Sequence, residues 1–427
     1  MNKILSVLPA MRHKNFRLFV AGQSVSLIGT WMTTAAMGWL VYRLTRSAFL
    51  LGAVGFASQV PCFLLAPYIG VYVDRLNRRK VLLWTQAIPL LQSLMLAYLT
   101  FSRHVSIHWV LGLSLLQGIV TAFDFPARHS FLAEMVPDRR DLGNAIAINS
   151  TMFNAARLLG PSLAGLIIAA SNEGWCFLID AASYAAVIVS LAAMRLAPRR
   201  GVSAESAWAA FRDGWNYVAG HMPIRTILVL MAIAGLTGIP SFVLMPIFAA
   251  QVLHGGANTL GFLMGGLGLG CLISALSLTM RNSVRGLVKM IPIGGVAFGV
   301  GLAGFGLSRN FWLSIAIMAI VGFGMMQLIS ICNTTVQMLA QDEKRGRVMS
   351  FFTMAYMGMP PFGSLMAGSL ARAIGAPHTM MLIGAALTLA ALWFAASLPA
   401  LQREIKPIYE KMGIVPADLP PALEEVG

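Results

Sequence analysis

The sequence predicts an all-α polytopic membrane protein with twelve transmembrane helices arranged as two pseudo-symmetric six-helix bundles. Three observations lead to this prediction: long apolar runs, an imbalance of Lys and Arg between alternate loops, and glycines that recur at a fixed separation. The composition agrees, because 57% of the 427 residues are hydrophobic and 11% are charged. Soluble domains carry about 25% charged residues, so lipid must cover much of this surface.

The apolar runs are long enough to cross a bilayer as helices. The hydrocarbon core is about 30 Å thick, so a spanning helix needs about 20 mainly apolar residues. Twelve runs reach this length, and they are residues 17–42, 48–73, 80–101, 106–128, 143–170, 174–195, 224–250, 257–280, 288–307, 310–336, 347–371 and 376–396. Their apolar character is continuous rather than alternating, which excludes a transmembrane β-barrel.

The basic residues give the orientation of these spans. Of the 31 Lys and Arg residues, 25 fall in the termini and alternate loops on one side, five fall on the other side, and Arg157 lies within a span. The positive-inside rule assigns the more basic side to the cytoplasm. We therefore expect both termini in the cytoplasm. The basic residues behind the net charge of +15 therefore orient the protein and contact anionic lipids of the bilayer. This placement excludes nucleic acid as the partner of these charges.

The longest polar interruption divides the chain into two halves. It covers residues 197–223, between an N-terminal bundle of residues 1–196 and a C-terminal bundle with a cytoplasmic tail of residues 224–427. Apolar residues recur within it at spacings of three and four, as Trp208, Phe211, Trp215 and Val218. This spacing predicts a short amphipathic linker helix at the cytoplasmic interface.

Glycines indicate that the two halves are repeats. Three glycines of the first half recur 203 residues later and one recurs 209 residues later, in the pairs Gly143–Gly346, Gly160–Gly363, Gly165–Gly368 and Gly52–Gly261. Because each half has six spans, both halves enter the membrane in the same direction. Parallel repeats of this kind are related by a pseudo-two-fold axis along the membrane normal, and they bind substrate between the halves near mid-depth.

The loop after the second span carries a recognisable motif. It contains Gly70, Asp74, Arg75, Arg78 and Arg79. The segment resembles the signature loop of the major facilitator superfamily, G-x-x-x-D-R-x-x-R-[RK]. In this reading Asp74 accepts hydrogen bonds from a helix N-terminus or an arginine, and the arginines pair across the cytoplasmic mouth. The resemblance implies that this loop takes part in gating.

Further segments narrow the resemblance. Residues 19–32, 125–128, 154–161 and 337–348 are similar to the branch of the superfamily that contains the enterobactin exporter and related secretion and drug-efflux proteins. This resemblance implies a monomeric secondary transporter of the bacterial cytoplasmic (inner) membrane that exports a small amphipathic compound, a siderophore, drug or secreted metabolite, in exchange for protons. Uptake by symport, facilitated transport by the same fold, and a membrane-embedded enzyme remain the alternatives.

Three ionisable residues within the spans are candidates for proton coupling. They are Arg157, Asp180 and Asp124, and such residues are costly in a membrane and usually mark function. Two interpretations of Asp180 remain open: a proton carrier coupled to Arg157, or a permanent structural ion pair with it. Asp124 and Arg128 are one helical turn apart, which predicts a pair on one helix face at a cytoplasmic gate.

Other residues are candidates for the cavity and the gate. The residues expected to line a cavity or bend a helix are Gln23, Asn149, Asn154, Gly160, Pro161, Gln327 and Asn333. Hydrogen bonding between helices is the alternative role of the amides. Arg128, Arg345 and Arg347 are expected at the cytoplasmic gate.

The sequence argues against an enzyme or an ATP-driven pump. It contains neither a G-x-x-x-x-G-K-[ST] loop nor a zinc-binding H-E-x-x-H motif, and its seven histidines are scattered. The four cysteines lie in apolar runs without metal-ligand spacing. We therefore expect no cofactor and no metal, and we expect protons and a small molecule as the transported partners.

The orientation can be tested with fusions of a reporter to the C-terminus. Because 25 of the 31 basic residues flank one side, a reporter that works in the cytoplasm is expected to be active there. Activity of a reporter that works only outside the cytoplasm would contradict the assigned topology.

Overall fold

The computed structural model describes residues 9–75, 78–136, 138–194, 207–281, 286–341 and 343–411. Within these ranges the regular structure is helical. The N-terminal half starts with a 3-10 turn, followed by helices α1 (Lys14–Thr45), α2 (Ala48–Arg75), α3 (Arg78–Phe101), α4 (Ile107–Met135), α5 (Arg139–Ala170) and α6 (Glu173–Ala193). Their bounds lie within four residues of the first six predicted spans, except that α4 ends seven residues beyond the predicted end at residue 128.

The C-terminal half is preceded by a linker helix, Ala207–Gly220, as the spacing of apolar residues predicted. Its long helices are α7 (Met222–Leu236), α8 (Ala257–Thr279), α9 (Leu287–Leu307), α10 (Phe311–Leu339), α11 (Arg345–Gly358), α12 (Pro360–Ile374) and α13 (Ala376–Lys411). After α7 the chain continues through a 3-10 turn, Ile239–Leu244, one short α turn and a π-helical turn, Phe248–Val252.

The eleventh predicted span is not one helix. Residues 347–371 form parts of α11 and α12, which are separated at Met359. Pro360 and Pro361 follow this break, and proline lacks the N–H that would continue the helical ladder. Eleven segments of the described residues are therefore long and apolar enough to cross a membrane individually. The twelfth crossing requires α11 and α12 together.

Two glycine pairs join the halves. Helix α5 packs on α8, and α2 packs on α12. At the first interface, a Cβ added to Gly165 would lie 3.0 Å from the Cα of Gly261; at the second, a Cβ added to Gly52 would lie 3.0 Å from the Cα of Gly368. Glycine therefore permits the backbones of opposite halves to touch at both places.

The two glycine pairs are related by the repeat. The separation of 203 residues carries Gly165 to Gly368, and the separation of 209 residues carries Gly52 to Gly261. Both pairs lie close to the end of the bundle formed by residues 46–47, 102–106, 171–172 and 253–256. We call this end the far side and the opposite end, which carries Pro9 and the linker helix, the termini side. The structure thus has its two halves in contact at the far side.

Valine in place of Gly165 should open the far side. The new side chain would meet the Ala257 carbonyl oxygen at 2.7 Å, and overpacking of this kind costs about 1–3 kcal/mol. That cost corresponds to a shift of about 5-fold to 150-fold in the balance of states. In a background without native cysteines, Ser364→Cys in the cavity should react faster with a membrane-impermeant thiol reagent added at the far side.

The matched control is Gly112→Val, because a Cβ at Gly112 meets nothing within 4 Å. It should leave the rate of labelling unchanged. Equal labelling of Ser364→Cys in the Gly165→Val and Gly112→Val proteins would contradict a closing role for the glycine pairs.

Candidate functional site

A cavity of about 400 Å³ lies between the two halves. On α2 its lining runs from Leu51 to Gln59, and on α8 it runs from Leu260 to Leu267. Both stretches begin at the level of the glycine pairs and continue toward the termini side. The cavity is therefore central in the bundle and lies just beneath the contacts that close the far side.

The N-terminal half supplies the more polar wall of this cavity, which we call the polar wall and which also contains apolar residues such as Trp31, Met37 and Leu51. Its lining side chains include hydroxyl groups, amides and two charged groups: Thr30, Thr33, Thr34, Ser58, Gln59, Gln92, Ser93, Ser114, Gln117, Arg157, Asp180 and Tyr184. Several hydroxyls bond to their own helix, as in Thr30 Oγ1 to the Ser26 carbonyl at 2.9 Å. Such bonds satisfy the hydroxyls without a partner across the cavity.

The C-terminal half supplies a mainly apolar wall. It comprises Ile239, Pro240, Phe242, Val243, Met245, Pro246, Leu260, Met264, Leu267, Met325, Tyr356, Pro360 and Ser364. Much of this wall comes from the irregular stretch after α7, where Pro240 and Pro246 interrupt the helical ladder. Irregular backbone is tolerated at membrane depth where it lines a cavity.

Asp180 lies in the polar wall and is 2% exposed. Its carboxylate accepts hydrogen bonds from Ser93 Oγ at 3.2 Å and from Ser183 Oγ at 3.4 Å. Helix α1 passes it at Gly29, where a Cβ would lie 2.6 Å from Asp180 Oδ1. The described contacts of this carboxylate are thus with neutral hydroxyl groups, and glycine makes room for it.

Arg157 lies in the same cavity but has different neighbours. Its guanidinium is over the rings of Trp31 at 4.9 Å and Phe153 at 5.3 Å, measured to the ring centroids. One terminal nitrogen donates to the Cys271 thiol at 3.5 Å, and the buried Nε has no hydrogen-bond partner. Cation–π contacts and a thiol thus hold this charge in place.

The structure does not pair Asp180 with Arg157. The sequence left two interpretations open, a proton carrier coupled to Arg157 and a permanent ion pair. Both expect Asp180 to contact Arg157, and the described residues show no such contact. Both residues line one cavity, yet Ser93 and Ser183 face the acid, whereas Trp31 and Cys271 face the arginine. The sequence places each residue at a depth along its helix but does not fix the direction of its side chain.

The comparisons with known proteins fit this architecture. A family model described as transmembrane secretion effector matches residues 5–412. The chain belongs to this family. It is a multi-pass membrane transporter of the major facilitator type, as the sequence motifs predicted.

Two curated relatives are similar to this transporter over most of its length. The staphyloferrin A transporter of Staphylococcus aureus is 24% identical over 86% of this chain and 92% of its own length. The multidrug efflux pump Tap of Mycolicibacterium fortuitum is 26% identical over 83% of this chain and 88% of its own length.

A solved structure shares the fold of the transporter. A bacterial homologue of the human lysosomal transporter Spinster, in an inward-facing and unoccupied conformation, superposes with a TM-score of 0.66. The superposition covers 91% of this chain and 97% of that one at 15% sequence identity. This similarity concerns the fold alone.

The amides expected at the cavity of the transporter lie elsewhere. Gln23, Asn149, Asn154, Gln327 and Asn333 are all absent from its lining residues. Gln327 donates to Ser277 Oγ of α8 at 3.3 Å and so joins two helices, whereas Asn154 bonds to the Ser150 carbonyl of its own helix at 2.9 Å. Asn333 accepts from Gln337, one turn away.

The predicted helix-bend residues pack against neighbouring helices. A Cβ on Gly160 would lie 2.6 Å from Trp31 Cβ, so this glycine lets α5 approach α1. The carbonyl of Pro161 would lie 2.7 Å from a Cβ on Gly261. Gly160 and Pro161 therefore shape the contacts that surround the cavity.

Asp124 and Arg128 form the ion pair that their spacing predicts. Arg128 Nη2 lies 2.6 Å from Asp124 Oδ2. The other carboxylate oxygen accepts from Thr85 at 2.8 Å and Gln86 at 3.0 Å, both on α3. The result is a polar lattice between α3 and α4 within one half, and its role in gating stays a prediction.

The motif loop is only partly described. The side chains of Gly70, Asp74, Arg75 and Arg78 lie outside the described residues. Arg79 donates to the Ala192 carbonyl at the end of α6 at 2.7 Å, so it caps a helix of its own half rather than reaching across the mouth. Arginine near a helix C-terminus satisfies a carbonyl that the helix itself leaves free.

One of the expected gate arginines, Arg347, pairs with the linker helix. Asp213 of the linker helix pairs with Arg347 and Lys344 at the start of α11, and Trp215 contacts the Phe351 ring at 6.0 Å between centroids. The contacts of Asp213 and Trp215 fasten the linker helix to the C-terminal half. Arg345 Nε donates instead to the Gln337 carbonyl at 3.1 Å, within the C-terminal half.

The segment of residues 10–13, before α1, contacts the first half as the linker helix contacts the second. His13 Nε2 lies 3.0 Å from Asp141 Oδ2, and the Ala10 N–H donates to Asn144 Oδ1 at 3.3 Å. Adding 203 to Asp141 and Asn144 gives Lys344 and Arg347. Equivalent positions near the start of α5 and α11 therefore anchor the segment that precedes each half. In the first half the acid, Asp141, is on the bundle helix, whereas in the second half the acid, Asp213, is on the linker helix.

Sequence reasoning missed the hydroxyls that hold Asp180 and an ion pair at the far side between a half-exposed arginine and a buried acid. Arg43 Nε donates to Glu173 Oε1 at 2.8 Å, and its Nη2 donates to Oε2 at 3.1 Å. Glu173 is 1% exposed. Its place directly after the capping residue Asn172, which accepts from the Gly174 N–H, was the available signal, because acids favour helix N-termini.

Removal of the Asp213 charge should loosen the linker helix. The hydrogen bond from Lys344 and the neighbouring Arg347 hold the pKa of Asp213 below its ordinary value of 3.8. The ion pair therefore stabilises docking at neutral pH, and this stabilisation is lost as the pH falls through that lowered pKa. In Asp213→Asn, amides of residues 212–220 should exchange hydrogen a few times faster at pH 7.

Glu404→Gln removes an exposed acid from α13 and is the control; exchange in the linker helix should be unchanged. Lowering the pH well below 3.8, past the lowered pKa of Asp213, should abolish the difference between wild type and Asp213→Asn, after correction for intrinsic exchange rates. Equal protection of the two proteins at pH 7 would show that the ion pair does not hold the helix.

Proposed function

We propose that this transporter is a proton-coupled exporter of a small amphipathic compound and works by alternating access between its two halves. We place it in the bacterial cytoplasmic membrane as a monomer, with the termini side in the cytoplasm, on the 25-to-5 distribution of basic residues. We keep the division into residues 1–196, 197–223 and 224–427 as part of this proposal.

The opposed walls of the cavity carry the proposal. The wall of the N-terminal half offers hydroxyls, amides and two charged groups beside apolar side chains, and the other wall offers mainly methionine, leucine, valine and phenylalanine side chains. A ligand with one polar and one apolar face would satisfy both walls at once, because unpaired polar groups are costly and apolar surface gains by burial. Methionine side chains adapt to ligands of different shape.

Asp180 is the group best suited to carry the proton. It lies at the cavity, and its described partners are the hydroxyls of Ser93 and Ser183. A carboxylate held by hydroxyls can gain or lose a proton without breaking an ion pair. Asp124 is less suited, because Arg128 and two side chains of α3 already engage it.

The glycine pairs support alternating access. Their contacts close the far side above the cavity, so a substrate that enters from the termini side would leave only after these contacts separate. Such a change requires two states whose balance is shifted by protonation and by substrate. Asp74 of the motif loop stays a predicted gating residue.

The direction of transport rests on the relatives. One is named a staphyloferrin A transporter and the other a multidrug efflux pump. The efflux pump favours export of a siderophore, drug or secreted metabolite over uptake by symport. Facilitated transport is disfavoured by the buried carboxylate of Asp180 at the cavity, because such a group is costly in a membrane and usually marks a function such as ion coupling. A membrane-embedded enzyme is disfavoured by the family.

Replacement of Asp180 by Asn should abolish proton-driven efflux and leave substrate binding in place. Asn keeps the shape of the side chain and removes its titratable group. The measurement is export of a compound first identified by a screen of siderophores and antibiotics in a pump-deficient strain, with an uncoupler to collapse the proton gradient.

Asp141→Asn is the control, because that acid lies at the termini side, away from the cavity lining. It should retain uncoupler-sensitive efflux. Efflux against a gradient at the wild-type rate by Asp180→Asn would mean that the proton site lies elsewhere or that protons are not the coupling ion.

A further inference from the structure

We infer that Arg157 binds a carboxylate of the transported compound, so that the substrates are amphipathic monoanions. This inference deepens the proposed function and rests on it, since it concerns what the central cavity accepts. It starts from the surroundings of the Arg157 guanidinium, which no carboxylate approaches among the described residues.

The present partners of Arg157 are weak acceptors. The thiol of Cys271 is 3.5 Å from one terminal nitrogen, and this thiol itself points to the Gly322 carbonyl at 3.3 Å. The buried Nε has no partner. Arginine presents its donors in a planar fork that a carboxylate matches with two parallel hydrogen bonds. A thiol cannot match this fork.

The other charges near the cavity are engaged or turned away. Asp180 is the one carboxylate among the described residues that line the cavity, and its hydrogen bonds are with serine hydroxyls. Asp124 is paired with Arg128. The positive charge of Arg157 is therefore available to a ligand, and a single negative charge would balance it. A monoanionic carboxylate fits this balance better than a dianion, because a dianion would bring a second negative charge into a cavity that already contains Asp180.

The walls around Arg157 suit an anion with an apolar body. Trp31 and Phe153 lie under the guanidinium with their rings edge to face, 5.6 Å apart. Met264 and Leu267 of α8, the helix that packs directly on α5, also line the cavity. A carboxylate on Arg157 would direct the rest of the molecule toward this apolar wall, and a neutral isostere of the same shape would lose the charged hydrogen bonds.

The test compares two probes of nearly equal shape on the purified full-length protein. Anthracene-9-carboxylate carries the anion, and anthracene-9-carboxamide is its neutral counterpart. Binding is followed at pH 8 by the fluorescence anisotropy of each probe, with empty micelles subtracted. A hydrogen-bonded charge predicts a Kd for the carboxylate about 10-fold to 100-fold below that for the carboxamide.

Variants of Arg157 test whether this residue causes the preference for the carboxylate probe. In Arg157→Gln the ratio of the two Kd values should fall to about 1, and Arg157→Lys should keep part of it because lysine retains the charge without the fork. Arg372→Gln, an exposed site outside the cavity lining, should retain the wild-type ratio. The wild-type comparison stands even where a variant fails to fold.

Three results would overturn the inference: equal Kd values in wild type, no binding of the carboxylate to wild type, or an unchanged ratio in folded Arg157→Gln. Failure of the proposed function looks different. In that case proteoliposomes would show no proton-driven transport of any compound while the carboxylate preference persists. Equal binding of both probes together with proton-driven export of other compounds would overturn the carboxylate site alone.

Discussion

Two backbone contacts between glycines hold the halves of this transporter together, and the position of the cavity follows from them. Gly52 meets Gly368, and Gly165 meets Gly261. A Cβ at any of these positions would lie 3.0 Å from the Cα of the opposite glycine. Helix association in lipid depends on close packing, because burial of apolar surface gains little there. Small residues therefore decide where the halves touch, and the space below these contacts becomes the central cavity.

The symmetry of the scaffold does not extend to the chemistry of the cavity. Addition of 203 to Arg157 gives Pro360, and both residues line the cavity. One half uses this position for a charge, and the other uses it to break the eleventh span into α11 and α12. The wall of the N-terminal half is accordingly the more polar one, and the carboxylate of Asp180 belongs to it.

Features set by a single helix followed from the sequence, whereas features set by the rotation of helices did not. Apolar length gave the spans, and the four-residue spacing gave the Asp124–Arg128 pair. The break at Met359 was missed because the apolar run continues across the prolines. The separation of Asp180 from Arg157 was missed because depth in the membrane does not reveal which neighbour a side chain faces.

The central claim is that protonation of Asp180 controls contact between the halves at the far side. Spin labels at Arg103→Cys and His254→Cys, in loops of opposite halves and in a background without native cysteines, report this contact as a distance distribution. We predict two distances in the reconstituted protein, with the population of the longer one changed by Asp180→Asn. A single distance that this substitution leaves unchanged would contradict the account.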